Sequence, residues 1–130
     1  MFSDALVRSL VQHFADAAGL RRGVSVKVFT RHEQFTRHMA RRGGLTKMDR
    51  EHLRSGYAIT FPRKHTPSEI YVNLERHVSL PELVDTAAHE VAHARFPHLR
   101  HGRLFDRRVT ALLAGYTCGP KSERLPEPFR

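Results

Sequence analysis

The sequence has 130 residues, of which 40% are hydrophobic and 27% charged, a balance that fits one globular domain and excludes a disordered chain. No run approaches the ~18 apolar residues of a membrane span, and Asp4 and Arg8 interrupt the first segment where a secretory leader needs an apolar core. Twenty-two Lys and Arg against thirteen Asp and Glu leave +9, which attracts phosphate polyanions. The single cysteine, Cys118, excludes an internal disulfide and a CxxC zinc ribbon. A cytoplasmic protein with no membrane partner is expected.

Residues 2–18 place Leu6, Leu10, Val11, Phe14 and Ala18 on one helical stripe, with Ser3 or Asp4 as cap and Gly19 or Gly23 as stop. VSVKVF, 24–29, alternates apolar and polar side chains and reads as a strand. Residues 31–42 fit a short helix ending at Gly43-Gly44. The stretch from Arg37 to Arg54 is basic and loop-like. Tyr57–Phe61 reads as a second strand halted by Pro62, and Glu69–Leu74 as a third. In that third strand Ile70, Val72 and Leu74 share one face, leaving Tyr71 and Asn73 on an outward one.

The next helix has the clearest start in the chain. Ser79 and Glu82 form a capping box, Pro81 sits in the first turn, and Pro97 ends the helix at Phe96. A last helix is expected from about Gly102 to Ala114, with Phe105, Val109, Leu112 and Leu113 inward and Gly115 as stop. These elements predict an α/β (α+β) domain over residues 1–118, with a short sheet of three or more strands packed by three to four helices. Residues 119–130 are Pro-rich and read as a loose tail.

His89-Glu90-Val91-Ala92-His93 is an HExxH motif on the capped helix. Residues four apart differ by about 40° in direction, so both imidazoles project from one face and can share a Zn²⁺ ion. Glu90 lies about 100° from His89 and 60° from His93. A general base that deprotonates zinc-polarised water belongs there. A catalytic zinc takes a third protein ligand. His101, which begins the last helix, has the best reach; His98 and Asp106 are the alternatives.

LPELVDTAAHEVAHA followed by His101-Gly102-Arg103-Leu104-Phe105 resembles the SprT-like metalloprotease family, which pairs HExxH with a downstream His-Gly-x-x-Phe. The lead-in IYVNLERHVSLPELVDT is similar too, and the resemblance covers about residues 69–115. It implies a minimal zincin-like fold, one Zn²⁺ on His89, His93 and His101, Glu90 as general base, and a protein substrate. The family also implies that the substrate can be associated with DNA. A metzincin would need Gly at position 96 and His at 99, where Phe96 and Leu99 stand. A three-histidine endoribonuclease of the YbeY type would likewise place its third histidine at 99. It remains the alternative because of the charge, as does a non-catalytic zinc module that binds nucleic acid.

Arg37, Arg41, Arg42, Lys47, Arg50 and Arg54, opposed by Asp49 and Glu51, are the candidate DNA-binding residues. Arg107 and Arg108 add charge on the last helix. Asp85, one turn before His89, is a candidate to orient a ligand imidazole. Tyr71 and Asn73 are candidates to pair with an extended substrate, Tyr116 and His98 to stabilise an oxyanion. Cys118 reads as a small apolar residue.

Overall fold

The computed structural model describes residues 2–117. The expected tail, 119–130, and Cys118 lie outside the described residues. The first helix, α1 (Asp4–Ala18), begins where the Ser3 hydroxyl accepts the Leu6 N–H at 3.1 Å. Such a cap is worth about 1 kcal/mol. It ends at Gly19, whose φ of 73° lets the Gly19 and Leu20 N–H groups reach back to Asp16 and Ala15. Strand β1 (Val24–Phe29) follows, then α2 (His32–Arg42), α3 (Lys47–Ser55), β2 (Ala58–Phe61) and β3 (Ser68–Asn73). A single 3₁₀ turn at Leu74–Arg76 leads to α4 (Leu80–Arg95) and α5 (Arg103–Thr117).

The three strands form one sheet in the order β1-β3-β2. β3 runs parallel to β1 and antiparallel to β2. One face packs on α1, α4 and α5 through Ile70, Val72, Phe14, Val91 and Phe105. The other carries a smaller aromatic cluster in which Phe35 and Met39 of α2 cover Phe29, Ile59, Phe61 and Tyr71. No described helix is long and apolar enough to cross a membrane.

Three expectations are corrected. The stretch before β2 is not all loop: α3 forms because Thr46 and Asp49 cap each other. The Asp49 N–H donates to the Thr46 hydroxyl at 3.1 Å, and the Thr46 N–H to the Asp49 carboxylate at 2.8 Å. With α3, five α-helices stand among the described residues where three to four were expected. The second correction concerns β3, whose supposed outward face is covered. Tyr71 is 8% exposed and Asn73 0%, because β3 is the central strand and α2 roofs that side. With both its edges hydrogen-bonded, β3 has none left for a substrate. Third, Gly115 does not stop α5, which continues to Thr117. Tyr116 packs its ring 5.6 Å from those of Phe14 and His13, and tertiary packing overrides the glycine.

Candidate metal centre

α4 is built to hold its motif rigidly. The Ser79 hydroxyl accepts the Glu82 N–H at 3.3 Å, and the Glu82 carboxylate accepts the Val78 N–H at 3.0 Å. Leu83, Ala87, Ala88, Val91 and Ala92 seat the helix in the core. The chain turns after Phe96, whose N–H closes on Ala92, and α5 returns alongside α4. That turn brings His101 back over the motif.

The three imidazoles converge. His93 Nε2 lies 3.1 Å from His89 Nε2 and 2.8 Å from His101 Nε2. All three residues offer ring nitrogens within 4.8 Å of one another. An imidazole nitrogen carries one in-plane lone pair or one N–H, so His93 Nε2 cannot serve both neighbours in two full hydrogen bonds. A cation that accepts a lone pair from each ring satisfies all three at once. The donor set therefore fits a metal ion, and imidazole suits several transition metals. His98 and Asp106 stand apart from this set: His98 lines a neighbouring cleft with Pro97 and Arg100, and Asp106 is exposed on α5.

Phe105 forms the floor. It is fully buried, and its ring lies 4.4 Å from that of His93, nearly parallel, and 4.9 and 5.2 Å from those of His89 and His101. The sequence marks it as an inward-facing residue and as the last position of the His-Gly-x-x-Phe element, without saying that it underlies the imidazoles. Its position four after His101 was the available signal, one helical turn below a candidate ligand.

Glu90 is only 5% exposed. Its carboxylate accepts the Thr60 hydroxyl at 2.7 Å, a contact from β2 that sequence reasoning missed. A threonine inside an otherwise apolar strand, AITF, was the only hint. Burial pushes the Glu90 carboxyl up to about 7, and the Thr60 hydrogen bond restrains the rise. A dication beside it would pull the value down again.

No family model matches this sequence, and neither a curated protein nor a solved structure shows significant similarity to it.

Two clefts flank the histidines. One, of about 200 Å³, is lined by Tyr57, Ala58, Asp85, Thr86, His89, Glu90 and His101. The second, of about 280 Å³, adjoins Thr60, Pro62, His93 and His98. They lie toward opposite ends of β2, an edge strand of the sheet. Asp85 thus stands in the cleft one turn before His89. Tyr57, not singled out from sequence, lines it as well. His77 supports this corner: its Nδ1–H donates to the Asn73 carbonyl and its Nε2 accepts the Thr86 hydroxyl, each at 2.8 Å. Tyr116 packs in the core and lines a separate apolar groove with Leu80, Val84 and Leu113.

The candidate DNA-binding residues are dispersed. Arg37 and Arg41 are exposed on α2, Lys47 and Arg50 on α3. Arg42 is committed elsewhere: its guanidinium stacks 3.5 Å from the Phe61 ring centre and lies 3.7 Å from Glu69. Arg54 belongs to α3, but its side chain is outside the described set. On α5, Arg107 is exposed and Arg108 stacks over Phe96 at 4.8 Å.

Proposed function

We propose that the chain is a zinc-dependent metallopeptidase of the SprT-like kind, hydrolysing peptide bonds in protein substrates. The observation that carries this reading is a buried carboxylate, Glu90, beside three imidazoles whose Nε2 atoms converge. His89, His93 and His101 would hold one Zn²⁺. The bound ion would supply Lewis acidity, acidifying water and polarising a carbonyl. Glu90 takes the proton of the attacking water on its carboxylate and returns it to the departing amine. Thr60 fixes the carboxylate's orientation through its hydroxyl. Phe105 and Leu112 keep the ligand helices in register from below.

The clefts toward either end of β2 give an extended substrate room on both sides of the histidines. Neither a three-histidine nuclease nor a non-catalytic zinc module has an evident use for a buried carboxylate at this place. A cytoplasmic setting and a DNA-associated substrate rest on the lone cysteine, the net charge and the family resemblance.

Metal analysis of wild type beside His89→Ala, with proteolysis assays of wild type beside Glu90→Gln, tests the reading. We expect about one zinc per chain, lost in His89→Ala. Glu90→Gln should keep the zinc and cleave a denatured protein substrate about 10²- to 10⁴-fold more slowly. Metal-free protein from a chelator-free purification, or equal cleavage by Glu90→Gln, would overturn it.

A further inference from the structure

A cleft of different chemistry opens at the end of the sheet where β1 begins and β2 ends. It measures about 400 Å³ and is lined by Arg21, Arg22, Arg63, Lys64 and Arg95, together with Thr66. Three separate segments bring these cations together: the α1–β1 turn, the β2–β3 turn and the last turn of α4. No acidic side chain lines the cleft among the described residues.

Three of its four arginines, Arg22, Arg63 and Arg95, are held in place by bonds that use only part of their donor capacity. Arg22 Nη1 donates to the His65 carbonyl at 2.8 Å, and Arg95 Nε to the Ala18 carbonyl at 3.0 Å. Arg63 is gripped by Glu69 through Nε and Nη2 at 3.0 and 2.6 Å. Each guanidinium has five N–H donors, so donors remain in a fixed fork for a tetrahedral anion. Gly19 and Gly23, both at positive φ, let the turn between them carry Arg21 and Arg22 at the surface.

The charge balance favours an anion. With Arg63 counted as neutralised by Glu69, four positive charges remain. Against them stand the C-terminal ends of α1 and α4, roughly half a negative charge each. The stretch from Arg37 to Arg54, in contrast, includes Arg42 already stacked and ion-paired. Arg95 is two residues beyond His93, about 200° round the helix, and no residue lines both this cleft and the ones beside the histidines.

We propose that this cleft is a phosphate-binding site, taking either the backbone of a nucleic acid or a free polyphosphate compound while the histidine cleft stays open. The inference does not depend on the peptidase reading.

Fluorescence anisotropy with a labelled DNA duplex, and calorimetry with tripolyphosphate, tests it. Arg21→Glu/Lys64→Glu alters two exposed turn residues. Arg37→Glu/Arg41→Glu makes the same charge change on α2 and serves as control. Arg21→Gln/Lys64→Gln is a milder version should the reversal disturb folding. We expect the cleft reversal to weaken duplex binding by about tenfold or more and to lower the salt slope of log K by about 2, with the control far less affected. Zinc content should not change in either. Tripolyphosphate binding lost in the cleft variant without any duplex binding would assign the site to a small phosphorylated compound. Equal losses in cleft and control variants, or no binding of either probe at low salt, would overturn the proposal.

Discussion

The two faces of the sheet do different work. On the α1/α4/α5 face, a large aliphatic core holds the histidine motif, and Phe105 sits against all three imidazole rings. On the α2 face, Phe35 and Met39 close a smaller aromatic cluster over Phe29, Ile59, Phe61 and Tyr71. Its margin is held by polar contacts: Arg42 stacks on Phe61, and Glu69 receives Arg63 and the Tyr71 hydroxyl. The difference teaches that site geometry and fold stability are separable in this molecule. Damage to one face should cost both, and damage to the other only stability.

The largest test of that contrast is a pair of substitutions. Phe105→Ala and Phe35→Ala each remove a fully buried ring. Each should cost about 3–5 kcal/mol in denaturant unfolding. Phe105→Ala should also weaken metal binding, because the rings it supports lose their floor. Phe35→Ala, assayed at a denaturant-free temperature where it remains folded, should bind metal as wild type does. Equal loss of metal affinity in both variants would show that the two faces are not separable.

The same contrast explains what the sequence revealed. The histidine cluster was legible because its signals are local: the Ser79–Glu82 box, the four-residue spacing of His89 and His93, and His101 one short turn away. On the α2 side the helix itself was legible over residues 31–42, but what it covers was not, because that signal is tertiary. Alternation in β3 says that Tyr71 and Asn73 face away from Ile70, but not that another helix covers them. The Thr46–Asp49 capping box was readable, yet the charges around it suggested loop. Thr60 and the cationic cleft were out of reach for the same reason. Thr60 lies 30 positions before Glu90, and Arg21 and Lys64 meet only once the sheet is assembled.

A smaller effect is expected at the link between β2 and α4. Thr60→Val keeps the shape of the side chain and removes the hydroxyl that donates to Glu90. The Glu90 carboxylate, buried among apolar groups, then lacks this partner. The cost should be about 1–3 kcal/mol in unfolding free energy. Because the carboxylate would also lose its orientation, cleavage should fall while metal content holds. Thr60→Ser, which restores a hydroxyl, should recover most of the cleavage. Failure of Thr60→Ser to do better than Thr60→Val would remove the hydroxyl from the account and leave only packing.

The smallest effect sharpens the comparison at its seam. His77 joins the end of β3 to α4 by donating Nδ1–H to Asn73 and accepting the Thr86 hydroxyl at Nε2. Burial lowers its affinity for a proton, while the Asn73 carbonyl and Glu82 partly oppose that shift; the ring of Tyr57 packs edge-on at 5.3 Å. The folded pKa therefore lies below the ordinary histidine value of 6.5, so the unfolded chain binds the proton first. Stability from this group is fully present above about 6.5 and is lost as pH falls toward the folded value. A proton on Nε2 also removes the lone pair that accepts Thr86. His77→Gln has no titrating group, so its unfolding free energy should fall less steeply than that of wild type between neutral pH and the acid side of 6.5. Every other group is common to the two proteins, so the difference between the two curves isolates His77. Parallel curves would mean that this ring takes up its proton as readily in the folded chain as in the unfolded one.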